Sequence, residues 1–235
     1  MEIIHDWDLQ LDVDQVLLGQ GAAPATIRAR NPAIVRAAEW ALAEGLPLIQ
    51  PVVQVHELAV EKVTHEKLKL EGGGVLSGSL IIQHLAGAQR IVVMLCTIGP
   101  QLEEVVSELI HSDAVLGLAL DGVGTAAVET LATQASSLYE ERARVLGWQT
   151  SIPLSPGMVG WEVDPGQRQV FALLDAPKVG VRLTSSYMMS PNKSLTLVLG
   201  MGENIATQGR TCDYCSLKET CRYQDHYLPV PVASK

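Results

Sequence analysis

The stretch Ile91-Val-Val-Met-Leu-Cys-Thr-Ile-Gly-Pro100 decides how this chain is organised. Its first six residues, Ile91–Cys96, are all apolar and open on three β-branched side chains, so the run reads as a strand covered on both faces rather than one that alternates between core and water. Cover on two faces demands packing elements on each side of a sheet. Gly99-Pro100 then turns the chain into a helix whose Leu102, Val105, Val106, Leu109 and Ile110 share one face.

Outward from this centre, helix and strand signals alternate. Trp7, Leu9, Leu11 and Val13 alternate as an edge strand leading into Asp14–Leu18. Pro32 to Glu44 has helical spacing, with Asn31 as N-cap, Pro32 at the first position and Gly45 as terminator. Val52–Val60 and Val63–Leu70 read as strands, and Gly72-Gly73-Gly74 as a turn before a helix at Ser77–Leu85. A long helical segment from Asp113 to about Leu146 is expected to kink near Gly122 and Gly124. Its small residues, Ala126, Ala127, Ala132, Ala135 and Ser136 among them, invite close approach by another element. A Pro/Gly-rich loop follows from Pro153 to Gly166, with a short helix from Asp164-Pro165 to Leu174. Val179, Val181 and Leu183 alternate as a strand, and Leu195–Leu199 forms another before a turn at Gly200-Met-Gly202. The pattern predicts one α/β domain over 1–205, with an N-terminal arm at 1–30, and a cysteine-rich tail at 206–235.

Composition sets limits on what such a domain does. The 235 residues are 47% hydrophobic, enough for a sizeable core, and with four Trp, five Tyr and one Phe that core is aliphatic. A net charge of −9 without a Lys/Arg-rich block argues against a nucleic-acid partner, whose affinity rests on basic residues that release counterions. The uninterrupted apolar runs Ile91–Cys96 and Val115–Leu120 are far shorter than the roughly 20 residues of a bilayer span, so no membrane segment is expected. Glu2, Asp6 and Asp8 stand where a basic leader would begin, and a cytoplasmic location is expected.

Four cysteines are present, and Cys212-x2-Cys215-x5-Cys221 places three of them within ten residues. A C-x2-C pair can put two thiolates on one metal, a third thiol adds another ligand, and Cys96 is the candidate fourth. An iron–sulfur cluster and zinc are both compatible with this set. The alternative is ordinary thiols, or a pair that oxidises reversibly. Arg210, Lys218 and Arg222 flank the thiols and would favour thiolate. Elsewhere, Asp121 and Glu129 lie eight residues apart on one helical face, as a paired carboxylate site or a solvated stripe. His5, His56, His65, His84, His111 and His226 show no metal spacing, and Ser155 lies outside any nucleophile elbow.

Three segments occur in order: Thr97-Ile-Gly99 with its acidic amphipathic helix, Ser151-Ile-Pro-Leu-Ser-Pro-Gly-Met158, and Leu183-Thr-Ser-Ser-Tyr-Met-Met-Ser-Pro-Asn-Lys-Ser194. Together they resemble the reactivation domain of cobalamin-dependent methionine synthase, in its stand-alone form, over roughly Val13 to Gly202. The resemblance implies a C-shaped α/β (α+β) domain with a twisted, largely antiparallel sheet and flanking helices. It implies binding of S-adenosylmethionine, whose methyl group, with an electron, returns cob(II)alamin on a partner protein to methylcobalamin. By position, the Ser155-Pro156-Gly157 turn and Gly160 would hold the ligand, and Glu129 would face its ammonium or sulfonium charge. Two positions depart from the family pattern: Pro153 replaces an Arg that grips the ligand carboxylate, and Met158 replaces an aromatic. Losing the guanidinium fork removes a charge-assisted contact, for which Arg182 and Lys193 are the substitutes in reach of the pattern.

The leading expectation is therefore reactivation of a corrinoid protein of the methionine synthase type, with the tail as an iron–sulfur electron site. The alternative is a non-catalytic metal-binding or electron-transfer partner of a corrinoid methyltransferase that has lost the donor site. A scaffold for a methyltransferase complex is a third reading. The expected partner is a corrinoid-binding protein or a methionine synthase core, and a homodimer stays open.

Overall fold

The computed structural model describes residues 1–205 and 209–221. In chain order the elements are β1 (Glu2–Ile4), α1 (Val13–Gly19), α2 (Pro24–Arg30), α3 (Pro32–Gly45), β2 (Val52–Val63), β3 (Lys67–Leu70), β4 (Val75–Ser77), α4 (Ser79–Leu85), β5 (Arg90–Thr97), α5 (Gln101–Ser112), α6 (Ala114–Val145), β6 (Gln149–Thr150), α7 (Val163–Ala172), β7 (Arg182–Leu183), β8 (Met189–Ser190) and β9 (Ser194–Gly202). The outer tail, with Arg222 and His226, lies outside the described residues.

β5 is the centre of a seven-stranded sheet of order β4-β3-β2-β5-β9-β6, with β1 laid on β2, and its pairings are all antiparallel. β2 carries β1 on its first half and β3 on its second, with a bulge between Val60 and Lys62 where the sheet curls. The fold is mixed α/β around a curled antiparallel sheet, as expected.

Both faces of β5 are buried, by different partners. Ile91, Val93 and Leu95, with Leu58 and Val198, pack under α4, α7 and the loop that holds Trp161. Val92, Met94 and Cys96, with Val55, Leu197 and Leu199, pack under the second half of α6 through Ala127, Leu131, Ala135 and Tyr139. The first half of α6 leaves the sheet and forms a helical layer with α1, α3 and the start of α5.

α6 runs unbroken for 32 residues, without the kink its glycines suggested. The glycines serve packing instead. A Cβ on Gly19 would meet the Gly122 carbonyl oxygen at 2.3 Å, and one on Gly122 would meet the Val16 carbonyl oxygen at 2.8 Å, so α1 and α6 cross backbone to backbone. By length and composition α6 is also sufficient to cross a bilayer, a property that the short apolar runs in the sequence concealed, and more than half of its most apolar window is buried in the protein.

Other departures are local. The N-terminal strand is the three residues Glu2–Ile4, ahead of the alternating Trp7–Val13, whose apolar side chains pack from irregular backbone. α2 was not foreseen, and α5 buries only Leu102 fully. The alternating Val179–Leu183 is a 3-10 turn over Ala176–Val179 followed by the two-residue β7. Gly200-Met-Gly202 continues β9 rather than turning: a Cβ on Gly200 would lie 2.6 Å from Ile205 and 2.9 Å from Leu85, so the strand needs glycine where α4 closes on it.

Candidate functional site

The segment after β6 follows the edge of β9 before it turns away. Ser151 donates its amide to the Gly200 carbonyl at 2.9 Å, and Leu154 exchanges both backbone bonds with Val198 at 3.0 and 2.8 Å. These pairings stop at Val198, so the Ser194–Leu197 edge has no strand partner on that side among the described residues.

Ser155–Met158 then forms a turn closed by a Met158 amide to Ser155 carbonyl bond of 3.2 Å. Gly157 sits at φ 102, a conformation that side chains resist, which accounts for glycine there. Much of the turn's bonding is internal. Ser155 donates its amide to the Met158 sulfur at 3.1 Å, and Gly157 donates to the Trp161 carbonyl at 2.8 Å. Met158 is thereby folded into the core beside Trp161. Pro156 packs under α7, where a Cβ on Gly166 would meet it at 2.8 Å, and Gly160 packs against Ser79 and Leu80 at the start of α4. Ser155, Pro156, Gly157 and Gly160 are thus brought close together around one turn.

Glu129 lies on α6, on the opposite face of the sheet from the core that holds Met158 and Trp161. It is half-buried on α6 beside Cys96; burial, and after it the Glu129 carboxylate, push the Cys96 thiol well up from its ordinary range. Asp121 does not pair with Glu129 as a second carboxylate. It holds Lys193, whose Nζ lies 2.8 Å from the carboxylate and donates to Thr125 Oγ1 at 2.9 Å. The Lys193 stem crosses α6 at Gly124, where a Cβ would come within 3.1 Å of it. This cation is therefore committed to α6 rather than standing in for the missing Arg. Arg182 opposes Ser190 in a separate hairpin whose tip carries Tyr187 at φ 60, with the Arg168 guanidinium 5.2 Å above its ring.

One buried polar group was missed in the sequence. On the face of the sheet under α7, the cross-strand rows Gln54–Leu95–Thr196 and Val52–Thr97–Ser194 bring four polar side chains to one end of an otherwise apolar surface. Ser194 and Thr97 hydroxyls are 2.9 Å apart, Thr196 donates to Gln167 Oε1 at 3.1 Å, and Gln54 Nε2 donates to the Asp175 carbonyl at 3.0 Å. Gln54 Oε1 is buried without a partner. The available signal was a glutamine at a core-facing position of β2, two residues from His56 and four from Leu58.

The described part of the tail is bonded to the flanks of the Ser155–Gly160 turn, which stays exposed at Gly157 and Gly160. Val159 donates its amide to the Tyr214 carbonyl at 2.8 Å, and Thr211 Oγ1 donates to the Pro153 carbonyl at 3.3 Å. The Tyr214 ring stands edge-on to His84, centroids 4.7 Å apart, and its hydroxyl accepts from Gln83 Nε2 at 3.1 Å. This brings Cys212 and Cys215 beside the Ser155–Gly160 turn. It does not bring them to Cys96, which faces α6 across the sheet, fully buried. Among the described residues, no three of His, Cys, Asp and Glu are grouped to hold a metal ion. An open cleft of about 860 Å³ between β2, the Glu71–Gly73 turn and α7 shares no lining residue with the 151–161 segment. A cavity of about 440 Å³ does adjoin it, walled by Trp148–Pro153 and by Gly209–Thr211 of the tail.

No protein-family model matches the sequence, and no curated protein is detectably similar to it. In structure the chain is similar to a crystal structure of the MetH reactivation domain bound to AdoHcy, with a TM-score of 0.60 over 80% of this chain and 71% of that one. Sequence identity across the match is 12%, so what the two share is the fold.

Proposed function

We propose that this chain is a reactivation component for a corrinoid protein, binding an S-adenosylmethionine-like ligand along the open edge of β9. The observation that carries the reading is the fold shared, over 80% of the chain, with a reactivation domain crystallised with AdoHcy. Three features of the chain support it. The Ser155–Gly157 turn sits where the edge of β9 loses its strand partner, Gly157 keeps the main chain open to close approach, and Glu129 supplies a half-buried carboxylate from α6. In this reading the turn holds the amino-acid and adenosyl parts of the ligand, and Glu129 balances its positive charge. The methyl group, together with one electron from an external reductant, would pass to cob(II)alamin on a separate corrinoid-binding protein or methionine synthase core, giving methylcobalamin and leaving S-adenosylhomocysteine.

An iron–sulfur cluster or zinc on the tail is not part of this proposal. Cys212, Cys215 and Cys221 form no metal-holding group and Cys96 lies across the sheet, so no electron step is assigned to them.

A second reading is a partner of a corrinoid methyltransferase that has lost the donor site. It is favoured by the tail's bonds to Val159 and Pro153, at the flanks of the turn, and by the absence of a guanidinium at position 153. Titration calorimetry with S-adenosylhomocysteine separates the two readings. Saturable binding that Gly157→Trp abolishes is expected; no heat with either protein removes the methyl-donor role and leaves the second reading.

A further inference from the structure

The tail docks through one short turn. Residues Thr211–Tyr214 form a single 3-10 turn, closed by a Cys215 amide to Cys212 carbonyl bond of 3.3 Å. Tyr214, between the two cysteines, points inward to His84 and Gln83. Asp213 points outward, accepting from the Arg210 amide at 2.9 Å and pairing with Lys218 Nζ at 3.0 Å, and Lys218 is the main cause holding its carboxyl below the usual range. Cys212 and Cys215, both half-exposed, flank the inward ring. The first and fourth Cα atoms of a hydrogen-bonded turn lie within about 7 Å, and a disulfide requires about 4.4–6.8 Å. The two thiols can therefore be joined without unmaking the turn that presents Tyr214.

We propose that Cys212 and Cys215 are a thiol–disulfide couple that sets how firmly the tail is held against the flank of the Ser155–Gly160 turn. The oxidant is a low-molecular-weight disulfide. The thiolate of one cysteine attacks it, forming a mixed disulfide and releasing one thiolate. The other cysteine then attacks the protein sulfur and releases the second. Two protein thiols are oxidised, the small disulfide is reduced to two thiols, and the two cysteine protons end on them.

The consequence follows from chain entropy. The Tyr214 ring and the bonds to Val159 and Pro153 order the segment, and that docking competes with the freedom of the undocked chain. Closing the four-residue ring removes part of that freedom in advance and shifts the balance toward the docked tail. Oxidation tightens the docking and reduction loosens it.

Calling the turn a ligand site rests on the function proposed above, whereas the couple and the docking are testable without it. The full chain is equilibrated with reduced or oxidised glutathione, its disulfides are mapped, and hydrogen exchange is followed at the Val159 amide, which the Tyr214 carbonyl protects. Expected are an intramolecular Cys212–Cys215 bond and exchange at Val159 about tenfold slower in the oxidised protein. Cys221→Ser should retain both effects. Cys215→Ser should lose both, and Tyr214→Ala should exchange fast in either state. A bond that uses Cys221, no bond, thiols occupied by stoichiometric metal, or a bond that leaves Val159 exchange unchanged would overturn the proposal. Calorimetry with S-adenosylhomocysteine on both forms adds a separate readout. Weaker binding to the oxidised form supports both ideas, while no binding to either form overturns the ligand reading and leaves the exchange result to decide the couple.

Discussion

His84 shows how much a single side chain can carry here. It is 2% exposed, neither ring nitrogen has a hydrogen-bond partner, and burial lowers its pKa from the ordinary value. The folded protein therefore holds it neutral, while the unfolded chain takes up a proton below about pH 6.5. The sign follows: the unfolded state binds more protons in that window, so stability is complete above about pH 6.5 and falls as the pH drops toward the folded-state value. Urea midpoints at pH 7.5 and 5.5 should thus differ less in His84→Leu than in the parent protein; an unchanged difference would show that other groups set the acid limit. Nothing around His84 in the sequence distinguishes it from the five other histidines, because the ring packed against it, Tyr214, lies 130 residues further along. Gly157 was readable, since a Ser-Pro-Gly sequence announces a turn with a positive φ. That Met158 would fold back to bond the Ser155 amide was not.

At the level of elements, α6 joins the two halves of the protein. Its small residues announced close approach in the sequence, but the partner, α1, is named only by the crossing at Gly19 and Gly122. Replacing either glycine forces a Cβ onto a backbone carbonyl, which cannot move aside as a side-chain tip can. Gly19→Val should cost about 1–3 kcal/mol, read as a lower thermal midpoint, with the Ser155–Gly160 turn unperturbed. A variant as stable as the parent would mean that α1 can slide along α6. Strand and helix periodicity located β2, β5, α3, α4, α5 and α7 to within a few residues. It failed at Val179–Leu183, where alternation arose from a 3-10 turn docking Val179 and Val181 onto the core rather than from pairing.

Across the whole molecule, the sheet is covered on both faces, and α6 links its cover on one face to the helical layer. Leu131, fully buried between α6 and the sheet, should cost about 2–5 kcal/mol when changed to Ala, whereas Val145→Ala, at a site 75% exposed near the helix end, should stay within about 0.5 kcal/mol. Chemical denaturation measures both, and equal effects would contradict this placement of α6. The two-sided sheet, the aliphatic core, the long small-residue helix and the Ser-Pro-Gly turn are legible in the residues alone, because each is written in local periodicity or in residues with one conformational use. The separation of Cys96 from the tail by the sheet, the hold of Asp121 on Lys193 and the bond of Tyr214 to Val159 are not. Those outcomes depend on which face of a strand or helix meets which distant segment, and no local pattern of residues encodes that.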